Sequence, residues 1–409
     1  GGNTTAVTFA TTNTGGTTTY TWTNSNTAIG LAASSVGNVT GIPSFVATNT
    51  TSAPINATIT VTPTYSDGVL FCVGVTEVFT ITVNPTAQVN AVSDEVVCNG
   101  GNSTTVTFAT TNTGGTATYT WTNDNTAIGL AASSGGNATG IPSFVATNTT
   151  NAPISGTITV IPTYTNGGVS CTGASETYII TVNPSGEINT ISDEVVCNGS
   201  NTTAVTFATT NTGGTTTYSW TNNNIAIGLA ASSGGNATSI PSFVATNTTN
   251  APITGTITVT PTYTNGGVSC IGAAETFVVT VNPSPTLTLT SAASTTNQTI
   301  CVNSPIVPIQ YTFDAGATGV VVTGLPSGIG HTINGNIVTI SGTPTTTAAI
   351  FNYTITAIGN SCGAPVLSGV IEVTNGILPI FAQVTPVCQG STINIPTSST
   401  NTPPIVGVW

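Results

Sequence analysis

Ile158-Thr159-Val160, leading through Tyr164 to Asn166-Gly167-Gly168 and back along Thr177-Tyr178-Ile179-Ile180-Thr181-Val182, is the stretch that decides the fold of this chain. β-Branched residues flank an Asn-Gly-Gly turn, and Asn and Gly accept the positive φ that a tight hairpin demands. The period of two marks a half-buried strand, with Tyr178, Ile180 and Val182 on one face. Upstream, Val106 and Phe108 alternate with Thr105 and Thr107, and Tyr119-Thr120-Trp121-Thr122 alternates in the same way. About seven short strands in about a hundred residues, with no helical periodicity, predict an all-β, antiparallel, immunoglobulin-like sandwich.

The pattern recurs. Trp22, Trp121 and Trp220 stand 99 residues apart, as do Tyr65, Tyr164 and Tyr263, and Cys72, Cys171 and Cys270. Repeats are therefore assigned to residues 1–85, 86–184 and 185–283, each closing on Thr-Val-Asn-Pro. Proline cannot donate to a ladder, so Asn-Pro reads as strand end and hinge. Residues 284–375, with Gly324-Leu325-Pro326-Ser327-Gly328 and Ile340-Ser341-Gly342-Thr343-Pro344-Thr345, read as a divergent fourth sandwich. At 376–409 a further domain is expected to begin, because Val387-Cys388-Gln389-Gly390 matches Val97-Cys98-Asn99-Gly100. Gly1-Gly2-Asn3 aligns with Gly100-Gly101-Asn102, so the whole reads as a segment of a longer protein, an extended array of tandem sandwiches.

Composition narrows the function. The 409 residues include no Lys or Arg, one His and 12 acids, a formal net charge of −12. Without basic side chains, nucleic acids and anionic lipid headgroups lose their main source of affinity. Schiff-base lysines, Walker lysines and arginine clamps are excluded with them. Disorder does not follow, since 38% of the residues are apolar. Roughly a fifth are Thr, which suits strands and keeps an almost uncharged surface wet. No apolar run reaches about 18 residues, so no direct membrane insertion is expected.

Few residues carry chemistry. Trp22, Trp121 and Trp220 are expected to fill the core, a carbohydrate-stacking role being the alternative. Eight Cys without a CxxC pair argue for disulfides in an oxidising compartment. Two regular pairings present themselves. One lies within domains, Cys98 with Cys171, Cys197 with Cys270 and Cys301 with Cys362; the other crosses junctions, as in Cys171 with Cys197. The first is favoured, on the view that each hairpin sits at its own domain's beginning. Asp94-Glu95 and Asp193-Glu194 read as solvated strand starts, with a calcium site as the alternative. His331 stands alone. Asn148-Thr149-Thr150 and Asn247-Thr248-Thr249 match the glycosylation triplet, a frequent coincidence in a chain rich in Asn and Thr. No catalytic constellation emerges, so neither an enzyme nor a cofactor is expected.

Val97 to Phe108, Tyr119 to Asn123, Ile128 to Ser133, Phe144 to Thr150 and the closing Thr-Val-Asn-Pro together resemble the PKD-like, immunoglobulin-like repeats of large surface proteins from Bacteroidota. That resemblance implies export by the type IX secretion system and display outside the outer membrane, as in SprB-like gliding adhesins. It implies as partners an extracellular surface or glycan ligand and other adhesin or secretion-system subunits. The function expected is a stalk or adhesive fibre, with a carbohydrate-binding array on a secreted polysaccharide-degrading protein as the alternative.

Overall fold

The computed structural model describes residues 2–346, 348–359, 361–376 and 388–390; the further domain expected over 376–409 falls almost wholly outside them. The chain divides into two compact units. One holds the residues up to Asn189 with Phe207–Tyr218 and Thr260–Ala274; the other holds Thr190–Thr206, Ser219–Val259 and the described residues from Glu275.

In repeat two the long strand Ile154–Asn166 is the spine of the main sheet. Strand Thr116–Asn123 pairs along one side of it, with Trp121 opposite Val160. Two strands lie end to end along the other side. Val169–Thr172 forms the hairpin, Tyr164 opposite Cys171, and Glu176–Asn183 closes the repeat, Ile154 opposite Val182. The turn uses Gly167 and Gly168 at φ of 58° and 76°, the left-handed pair that Asn-Gly-Gly predicts. Tyr178, Ile180 and Val182 are buried together, as their alternation requires. Around them pack Phe108, Tyr119, Trp121, Ile128 and Ile158. Trp22, Trp121 and Trp220 expose 5–7% of their surface, which makes them core residues.

The facing layer is thinner than expected. The strand predicted through Val106 and Phe108 shrinks to Val106–Thr107, paired with Gly140–Ile141. Ser103 explains part of the loss, because its hydroxyl accepts from the Phe144 N–H at 3.0 Å and draws backbone pairing out of a regular ladder. Each repeat secures a buried isoleucine through a short 3₁₀ turn instead. Asn125 caps Thr126–Ile128 by accepting from the Ala127 N–H, and Ile128 is fully buried.

A feature absent from the local pattern completes the sheet. The first strand of repeat two, Glu95–Cys98, runs parallel to the closing strand, Cys98 level with Asn183. Glu194–Cys197 and Asn297–Cys301 pair likewise with the closing strands of their own domains. Among the described residues, the closing strand of repeat one, Glu77–Val83, pairs only with Ile55–Ser66.

The fourth domain has two four-stranded sheets. The Tyr311 and Tyr353 hydroxyls, one from each sheet, meet at 2.9 Å in its core. Burial raises both phenols, and at Tyr353 the Tyr311 oxygen adds to the effect. Tyr353→Phe should destabilise this domain by about 1–3 kcal/mol, because it strands the Tyr311 hydroxyl. Adding Tyr311→Phe should restore part of the loss. Urea unfolding of the two variants checks both, and a double variant weaker than the single one contradicts the account.

Candidate functional site

The chemistry of this chain gathers where one repeat meets the next. Cys98 is bonded to Cys270 with Cα atoms 5.5 Å apart, and Cys197 to Cys362 at 5.3 Å. The pairing expected within domains is therefore corrected. Cys171 and Cys301 carry no disulfide, and neither do Cys72 and Cys388. Parallel pairing supplies the reason. It carries Cys98 level with Asn183, whereas Cys171 lies twelve positions earlier on the same strand line, roughly 40 Å away at about 3.3 Å per residue. A disulfide tolerates less than about 7 Å. The hairpin does sit where its domain begins, but the first strand climbs past it and delivers its Cys to the far end. Cys301 shows the same geometry, level with Thr374, twelve positions beyond Cys362.

Around the bond, paired amides hold the junction. The Asn183 amide donates to the Asn265 and Val268 carbonyls at 2.9 and 3.4 Å, and Asn265 donates back to Asn183 Oδ1 at 3.0 Å. Asn84 and Asn166 form the same clasp one repeat earlier, at 3.0 Å in both directions. The Asn of the first two Thr-Val-Asn-Pro motifs, Asn84 and Asn183, is thus a grip on the next hairpin. It was legible as a strand end, but nothing local showed its partner. Gly173 is required here as well, since a Cβ would run into the Ala87 carbonyl oxygen.

The acids serve the backbone. Asp94 accepts from the Ile179 N–H at 2.7 Å and Glu95 from the Thr104 N–H at 2.7 Å. Asp193 and Glu194 do the same for Val278 and Thr203, at 2.7 and 2.8 Å. With no lysine or arginine, carboxylates find N–H groups instead, and these bonds pin the first strand. Burial, with the Glu95 charge nearby, pushes the Tyr178 phenol up to about 12, so it stays neutral. Among the described residues, no group of three or more His, Cys, Asp or Glu is placed to hold a metal. His331 is exposed on the edge strand Ile329–Asn334. Asn148 and Asn247 are buried, 3% exposed each.

Disulfides persist in oxidising compartments, which makes this a secreted or extracellular protein. No helix among the described residues is long and apolar enough to cross a membrane. No family model and no curated protein matches the chain. Solved structures do. The titin domains Z1Z2 in complex with telethonin match at 14% identity and a TM-score of 0.23, over 46% of this chain and 95% of theirs. The human desmocollin-1 ectodomain matches at 11% and 0.24, over 89% and 73%. Fibronectin(III)-like modules of Clostridium thermocellum CbhA match at 14% and 0.20, over 46% and 94%. Likeness at these values carries no argument, and the fold class rests on the strand order above.

Proposed function

We propose that this chain is a load-bearing segment of a cell-surface adhesin or filament, of the Bacteroidota type that its repeats resemble. One observation carries the reading: each disulfide joins the end of one domain to the hairpin of the next, where it strengthens a connection. The Asn clasps reinforce the same junctions. Threonine-rich faces without lysine or arginine offer trypsin no site and leave few charges for salt to screen. A carbohydrate-stacking role for the repeated tryptophans is disfavoured by their burial.

Antibodies against the repeats should label intact, unpermeabilised cells of the source organism. Deleting the coding region should reduce attachment or surface movement. Labelling that appears only after permeabilisation overturns the reading.

A further inference from the structure

We infer that Asn334 is a modification site, where the side chain converts spontaneously to aspartate and isoaspartate, and that the bonds holding the repeat junctions spare four equally labile asparagines from the same reaction. Asn-Gly is the dipeptide most open to this chemistry, because glycine leaves the attacking nitrogen unhindered. The described residues contain six: Asn99-Gly100, Asn166-Gly167, Asn198-Gly199, Asn265-Gly266, Asn334-Gly335 and Asn375-Gly376.

The reaction asks two groups to move. The glycine nitrogen attacks the asparagine Cγ and gives up its proton, ammonia leaves with the bonding pair and that proton, and water reopens the succinimide ring at either carbonyl. The side chain therefore has to turn toward the next nitrogen, and the peptide plane between them has to rotate to meet it. In the repeats both are pinned. Asn166 donates its amide to Asn84 Oδ1 at 3.0 Å, and its carbonyl, in the same peptide plane as the Gly167 nitrogen, accepts from the Asn84 amide at 3.0 Å. Asn183 holds Asn265 in the same way, at 3.0 and 2.9 Å. Asn99 Oδ1 accepts from the Asn148 N–H at 2.9 Å, while the Gly100 N–H donates to the Ala146 carbonyl at 2.8 Å. Asn198 and Gly199 repeat that arrangement with Asn247 and Ala245, at 2.9 and 2.8 Å.

Asn334 has the hairpin without the bonds. It ends the edge strand Ile329–Asn334, opposite Ile337, and Gly335 stands at φ of 62°, against 58° and 57° for Gly167 and Gly266. Its side chain is exposed and has no hydrogen-bond partner among the described residues. Asn375 keeps one long bond, its Oδ1 accepting from the Ala348 N–H at 3.4 Å.

The consequences differ with the place. At Asn166 or Asn265 a new carboxylate would face the Oδ1 of Asn84 or Asn183 and open the junction, so each clasp protects the residue on which it depends. At Asn334 the change adds a charge and, in the isoaspartyl form, a backbone methylene to an exposed turn.

The test incubates the full chain for weeks at mildly alkaline pH, folded and in urea. Peptic digestion, needed because trypsin has no site, is followed by mass spectrometry, and isoaspartate is read separately by enzymatic methylation. In urea Asn334 and the four repeat asparagines should convert at similar rates. In the folded chain Asn334 should run about 10-fold or more ahead of the other four, since two hydrogen bonds have to open before any of those can react. This comparison within the parent chain needs no variant. Asn84→Ala adds a second one: it should raise the rate at Asn166 about 10-fold and leave Asn265 unchanged, a contrast that general loosening of the fold would not produce. A repeat asparagine that keeps pace with Asn334 in the folded chain overturns the proposal. So does an Asn166 rate unmoved by Asn84→Ala, or an Asn265 rate that rises with it.

Discussion

Stretched by its ends with both disulfides closed, the chain should stop extending far short of its length, and reductant should release about 190 further residues between Cys98 and Cys362. Those two cysteines are 264 positions apart, but with both bonds closed the shortest covalent path runs from Cys98 to Cys270, back along the chain to Cys197, and across to Cys362, 73 residues in all. At about 3.4 Å per residue the difference is roughly 650 Å. Overlap of the two loops gives the prediction its signature. Cys98→Ser leaves the Cys197–Cys362 loop of 165 residues closed, so it alone should release only about 25 residues, and Cys197→Ser about 20. Opening both should release far more than the two added together. Cys171→Ser should release nothing, whereas pairing within repeats would make it release about 70. Force spectroscopy on the four variants distinguishes these outcomes, and additive single releases exclude the interlocked loops.

This covalent topology illustrates where sequence reading reaches and where it stops. Tyr178, Ile180 and Val182 declare their face because alternation is a local consequence of strand geometry. The Asn-Gly-Gly hairpin declares itself because few residues accept its dihedrals. The regular 99-residue spacing of Trp, Tyr and Cys shows the repeats directly. The partner of Cys98 is a different kind of fact. It depends on Glu95–Cys98 lying parallel to a strand some 85 positions later, and no local pattern distinguishes parallel from antiparallel pairing in a four-residue strand. Asn84 and Asn183 were hidden for the same reason, since an Asn before Pro looks like a turn whether or not a neighbouring repeat waits to receive its amide.

Asn148→Ala should be among the most damaging single substitutions in repeat two, lowering its stability by about 3 kcal/mol or more. The side chain is 3% exposed and every hydrogen-bonding capacity is engaged. Nδ2 donates to the Ala152 and Val182 carbonyls, both at 2.8 Å, while Oδ1 accepts from the Thr150 N–H and hydroxyl, both at 2.8 Å. It ties the loop over 148–152 to the end of the closing strand, beside the junction that Asn183 and Cys98 occupy. Removing it leaves the Val182 carbonyl and the Thr150 N–H without these partners, each at a cost of about 1–3 kcal/mol, while the Ala152 carbonyl keeps the Thr150 hydroxyl at 2.8 Å. Asn148→Asp should be no milder at neutral pH, because it sets a carboxylate oxygen against those same carbonyls. Asn137, exposed in another Asn-x-Thr triplet of the same repeat, is the control, and Asn137→Ala should change stability by less than about 0.5 kcal/mol. Expressed in a host that modifies this triplet, the folded chain should accept glycan at Asn137 and refuse it at Asn148, since attachment needs the amide that the fold has enclosed. Equal occupancy at both positions, or an Asn148→Ala chain that unfolds at the parent's urea midpoint, contradicts a structural clamp at this residue.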